Sequence, residues 1–143
     1  MGVVDRAEWD TAFASFLENP GKWDWLVDWA RAEGCLPVCC ELTCVFGVNR
    51  AGEVIFYEHE PRPGCTPEQY RVTDLRLLNV TLDAGMTRYP WLSSLLPERP
   101  ADAQICSMCD GTGKLPIPFA CYCGGAGWVP AGDTWVNRDR FKK

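Results

Sequence analysis

Histidine is nearly missing from this chain: one residue in 143, His59. That scarcity removes most imidazole chemistry. A Cys–His or Ser–His nucleophile would have to use His59, and nothing near it in the sequence supports one. No H-E-x-x-H pair exists, and a zinc deaminase site needs H-x-E together with P-C-x-x-C, whereas His59 is followed directly by Glu60 and Cys106 by no proline before it but Ile105. A P-loop, a G-x-G-x-x-G after a strand and a G-x-S-x-G elbow are absent too. Glu58 and Glu60 share one face of a predicted strand, which reads as a solvated edge and not as an acid–base pair. Long apolar runs are equally scarce, and none approaches the roughly 18 residues that span a membrane. Met1-Gly-Val-Val-Asp-Arg6 has no basic start leading into an apolar stretch, and Arg6 breaks the myristoylation pattern at Gly2. The expected location is the cytoplasm, with no membrane attachment.

Cysteine, by contrast, is plentiful. Nine thiols are an odd number, and without an export signal they point to metal binding in a reducing compartment before a disulfide framework. The net charge of −5 is unevenly spread. Residues 1–60 carry eleven acids and four bases, residues 61–105 five of each, and residues 106–143 three acids and five bases. An acidic front half repels nucleic acid phosphates, which bind through Lys and Arg. It suits a basic protein surface, and it equally suits a solvated face that only keeps the protein dissolved.

The densest chemical signal is Cys106-Ser-Met-Cys109-Asp-Gly111-Thr-Gly113, with Cys121-Tyr-Cys123-Gly-Gly125-Ala-Gly127 after a loop that holds Pro116 and Pro118. A C-x-x-C turn supplies two corners of a zinc tetrahedron with arms of about 2.3 Å. The glycines let the backbone curl with positive φ, so that amide N–H groups can face the thiolates. A Zn(Cys)4 centre carries about −2 and has no open position, which makes the metal structural. The competing use of the same thiols is a redox dithiol, which requires Cys106 to open a helix that lowers its pKa; Asp110-Gly-Thr-Gly113 is a poor helix start.

These residues resemble the cysteine-rich zinc finger of the DnaJ co-chaperones, built from C-x-x-C-x-G-x-G units taken two per metal. The first unit, Cys106, Cys109, Gly111 and Gly113, matches in full; the second matches from Cys123 through Gly125 and Gly127, with Ala120 where the family has cysteine and Cys121 in its place. The likeness covers residues 106–127 and one metal site where a full module has two, and no His-Pro-Asp of a J domain is present. It implies one structural Zn²⁺ on Cys106, Cys109, Cys121 and Cys123, and a finger that holds client proteins.

The remaining chain reads as α+β. Asp5 with Glu8 forms a capping box for a helix whose apolar stripe is Trp9, Ala12, Phe13, Phe16 and Leu17. Asn19-Pro-Gly21 stops it, and a second helix spans about 22–33, ended by Gly34. Its buried stripe is expected at Trp23, Leu26, Val27 and Ala30. Trp25 and Trp29 fall on a neighbouring face beside Asp24 and Asp28, either as core edge or as a partner contact. Cys35, Cys39, Cys40 and Cys44 read as small core residues around a single strand, with a second metal site as the alternative. Asn49-Arg-Ala-Gly52 is a hairpin turn returning through residues 53–60, and the hairpin is weakly similar to those of small bacterial toxin-immunity proteins of the SMI1/KNR4-like group. Cys65 lies in a proline-rich loop, Tyr70-Arg-Val72 is a short strand, and Thr73 or Asp74 caps a helix carrying Leu75, Leu78 and Leu82. Pro90 starts a short helix closed by Pro97.

The expected architecture is a body over residues 1–104, with an N-terminal helical hairpin packed on a small antiparallel sheet. A zinc knuckle over 105–132 follows, and then a strand and basic tail over 133–143. The expected function is non-enzymatic: an inhibitor or immunity-like protein that binds a basic protein partner such as a bacterial toxin. The alternative is a DnaJ-like adaptor holding clients through the finger, and the third class is a thiol–disulfide oxidoreductase.

Overall fold

Helix α1, Arg6–Glu18, begins where Asp5 accepts a hydrogen bond from the Glu8 amide at 3.1 Å. This satisfies one of the amides that the first helical turn leaves without an internal partner. The computed structural model describes the chain apart from residues 1–3, 20, 22, 42, 60–62, 65, 117–120 and 133–143. The expected C-terminal strand with its basic tail, and Cys65, lie outside the described residues. Helix α2, Asp24–Glu33, ends on Gly34 in the left-handed conformation (φ 61). Helix α3, Leu75–Met86, is capped by Asp74, which accepts from the Leu77 amide at 2.8 Å. A 3₁₀ helix, Pro90–Leu95, follows.

Between α2 and α3 runs a four-stranded antiparallel sheet in simple order, β1 (Cys35–Cys40), β2 (Cys44–Asn49), β3 (Val54–Glu58) and β4 (Glu68–Arg71). The fold is therefore α+β. The expected single strand around the cysteines is in fact two, β1 and β2, paired from Cys35↔Asn49 to Cys40↔Val45 with a bulge between Pro37 and Cys39. Proline cannot donate to a ladder and is confined to edges and bulges, and β1 supplies both. The β2–β3 turn follows its sequence signal: Asn49 Oδ1 accepts from the amides of Ala51 and Glu53, and Gly52 takes φ 90.

Strand alternation gives the sheet two faces. On one lies α2, with the Trp29 ring over Gly47 so closely that a Cβ on that glycine would sit 2.8 Å from it. Trp29 also stacks on Tyr57 and donates its indole N–H to Gln69 Oε1 at 2.9 Å. The other face buries Leu36, Val48, Val54 and Val72 in a core shared with Leu78, Leu82, Leu92 and Leu95 of α3 and the 3₁₀ helix. Helices α1, α2 and α3 all pack on β1, so that edge of the sheet is covered. Of the four cysteines expected in the core, only Cys35 is buried; Cys39 and Cys44 are half-buried and Cys40 is exposed. No described helix is long and apolar enough to cross a membrane.

Candidate metal centre

The knuckle starts and ends on a two-stranded ribbon, β5 (Gln104–Ile105) paired with β6 (Trp128–Val129). Inside it the two cysteine units adopt the same backbone twice. After Cys109 come Asp110 (φ 53), Gly111 (φ 81) and Gly113 (φ 78); after Cys123 come Gly124 (φ 70), Gly125 (φ 80) and Gly127 (φ 82). In each, the amide four residues on donates to the sulfur: Gly113 N–H to Cys109 Sγ and Gly127 N–H to Cys123 Sγ, both 3.3 Å. The halves meet main chain to main chain. A Cβ on Gly113 would strike the Gly125 carbonyl, and one on Gly127 would strike the Gly111 carbonyl.

This curl brings four sulfurs to one point. Cys106, Cys109, Cys121 and Cys123 are all buried, and their Sγ atoms lie within 4.8 Å of one another. Cys106 and Cys121 are 3.5 Å apart, Cys109 and Cys123 3.8 Å, and all four are free thiols. A tetrahedron with metal–sulfur arms of about 2.3 Å has edges of about 3.8 Å, close to the two short separations, so the set is compatible with one ion such as zinc. The C-x-C spacing of the second pair brings Cys121 in as well as a C-x-x-C would. Electrostatically the cluster is divided. Burial pushes the Cys109 thiol up, but the Gly113 amide and the neighbouring sulfurs outweigh it and bring Cys109 down to about 7. Burial dominates at Cys121 and raises it. Four such sulfurs would hold a metal as thiolates and fill its four corners, the arrangement of an ion that shapes the chain.

The knuckle also abuts the body at a point the sequence reading missed. Gly124 lies against the α3 backbone at Asn79 and Val80, where any Cβ would overlap the Asn79 carbonyl group. Beside it, Asp83 Oδ1 is 3.3 Å from where a Cβ on Gly125 would stand, and burial raises the Asp83 carboxyl above its ordinary range. Asn79 is itself 1% exposed, and its Nδ2 is the one buried side-chain nitrogen or oxygen without a hydrogen-bond partner among the described residues. The available signal was Gly124, a glycine at a position the C-x-G-x-G unit leaves free.

Other expected site residues are scattered. Trp29 is buried and half of the proposed tryptophan pair is therefore core, while Trp25 is half-buried and stacks flat on His59 at 4.6 Å. Asp24 and Asp28 are exposed beside it. Cys35, Cys39, Cys40 and Cys44 do not gather as a metal-binding set; among the described residues only the knuckle cysteines do. No family profile, curated protein or solved structure matches the chain.

Proposed function

We propose that this chain is a zinc-stabilised, non-enzymatic protein-binding protein of the inhibitor or immunity type, and that it recognises a basic protein partner. The metal is one Zn²⁺ held by Cys106, Cys109, Cys121 and Cys123 in a knuckle of DnaJ type, and its role is to fold a segment too poor in apolar mass to order itself. The observation that carries the reading is the acidic surface of the body, little of which is ion-paired among the described residues. Of the eleven acids in residues 1–60, Asp10 and Glu53 are seen in ion pairs, with Arg50 and Arg71. Asp24, Asp28 and Glu33 stand exposed along α2. Surface pairs of that kind add little to stability, and complementary fields mainly steer and select a partner.

The test is purification of the tagged protein from its native cell at low ionic strength. A stoichiometric basic protein that dissociates as salt is raised supports the reading, and purification without any stoichiometric partner refutes it. A second reading, an adaptor that holds clients through the finger, is favoured by two exposed apolar side chains on the knuckle, Ile105 at 62% and Tyr122 at 46% exposure. Suppression of aggregation of an unfolded client, lost on zinc chelation, would decide for it.

A further inference from the structure

We infer that the uncovered edge of the sheet, β4 with the aromatic row beside it, docks an extended segment of a basic protein partner as a fifth strand. The inference rests on the reading of the chain as a binder of a basic protein and locates the contact. On the face turned away from α2, the register sets out three rows across the strands. Leu36, Val48 and Val54 form the first and are buried under α3 and the 3₁₀ helix. Cys39, Phe46, Phe56 and Tyr70 form the second, with ring centroids 5.1 and 5.0 Å apart and Tyr70 44% exposed. Cys44, Glu58 and Glu68 form the third.

Glu58 and Glu68 are direct cross-strand neighbours, an arrangement in which like charges repel. The ion pairs seen among the described residues, Asp10–Arg50 and Glu53–Arg71, involve neither of them. An acidic pair next to a half-open aromatic row is complementary to a lysine or arginine whose stem lies on Tyr70 and whose charge lies on the glutamates. Among the described residues no strand pairs with the outer side of β4. All four β4 residues are exposed, whereas the opposite edge carries Pro37, a bulge and the helices. Val72 N–H donates to Val54 O at 2.8 Å and Tyr70 faces Phe56, so ladder alternation turns the N–H and C=O of Gln69 and Arg71 outward.

A strand added there places one side chain beside Tyr70 and another, two residues along, beside Glu68. The segment that fits therefore has an apolar residue at the first position and Lys or Arg at the second. A second copy of this chain fits less well. Antiparallel self-pairing that keeps the two faces aligned sets Glu68 against Tyr70 or Val72, and neither glutamate gains a cation.

The test titrates the full-length, zinc-loaded protein against a labelled peptide of repeating Val-Thr-Lys-Thr, which carries Val and Lys two residues apart on one face, and against its Glu-for-Lys twin, with hydrogen exchange on the bound state. The expected result is binding of the Lys peptide alone, protection of the Gln69 and Arg71 amides, and no change in the E98Q/D102N variant, which removes two exposed acids away from the sheet. The E58Q/E68Q variant should bind about tenfold more weakly with a flatter salt dependence, since close charge pairs set both. That variant removes a repulsion, so a thermal transition that holds or rises separates lost binding from lost folding. Undiminished binding by E58Q/E68Q, loss of binding in E98Q/D102N, or no binding of the Lys peptide overturns the inference. So does a concentration-dependent dimer that protects Gln69 and Arg71 without peptide. These outcomes leave the basic-partner reading standing, because native co-purification decides that separately.

Discussion

The body and the knuckle reach order by opposite means. In the body, Leu36, Leu82, Leu92, Val45 and Val48 are fully buried, and caps such as Asp5 and Asp74 only trim the helix ends. In the knuckle the buried side chains are the four cysteines, Val129 and Trp128, and the two halves touch through glycine backbone. Apolar burial is worth roughly 25 cal/mol per Å², so the body can hold itself while the knuckle lacks the side chains to do so. The four clustered sulfurs could supply that order by holding a metal ion, as in small metal-folded domains.

The sharpest way to break the comparison is to remove the proposed metal. Structural zinc contributes on the order of 10–16 kcal/mol in small zinc-binding peptides, so chelation or Cys123→Ser should unfold residues 105–132. Heteronuclear NMR is expected to show collapse of the Gly111, Gly125 and Gly127 amide shifts while those of Leu36 and Val48 persist. Wholesale loss of both sets would mean that the body depends on the knuckle. The reciprocal experiment is Leu82→Ala, where truncating a residue with no exposure should cost about 2–5 kcal/mol in thermal or denaturant unfolding. Zinc stoichiometry should not change.

Gly124→Ala addresses the join between the two regions. A methyl group there must adopt φ near +70 and overlap the α3 backbone, which places its cost at about 2–4 kcal/mol, against about 1 kcal/mol for Gly21→Ala, where nothing lies within 4 Å. Loss of hydrogen-exchange protection at Asn79 and Val80, with zinc retained, is the expected signature. Asp74→Ala should remove about 1 kcal/mol by unsatisfying the Leu77 amide, and leave the knuckle untouched.

The smallest effect is one of pH. Burial, then Glu33 and Glu53, push the Cys35 thiol up to about 12 from 9.0. A group whose pKa is raised by folding contributes its full stability below the unfolded value, and that share is lost as pH rises from about 9 to about 12. Unfolding measured over that window should show a shallower alkaline decline for Cys35→Ala than for the unaltered chain.

How much of this was legible in the sequence follows the same division. The three helices were readable because Asp5, Gly34 and Asp74 mark their ends and apolar residues recur at helical spacing. The knuckle was readable because two thiol pairs with glycines at fixed offsets admit few other geometries. The β1–β2 turn was not, since residues 41–43, Glu-Leu-Thr, contain none of the usual turn residues and Pro37 argues against a strand. Helical periodicity placed Trp29 on a flank, yet it is buried because Gly47 across from it leaves room for an indole. A glycine inside a strand marks such close approach, and that was the signal to read. The contact of Gly124 with α3 joins residues 45 apart and had no local trace beyond an extra glycine.

The central claim, that four cysteines fold the knuckle around one ion, is tested most directly by native mass spectrometry of the untagged protein. The expected spectrum at neutral pH shows one zinc per chain and all nine thiols reduced, with the metal released only on acidification as protons compete for the sulfurs. A metal-free chain whose mass shows Cys106, Cys109, Cys121 and Cys123 joined as disulfides, or two zincs per chain, would contradict it.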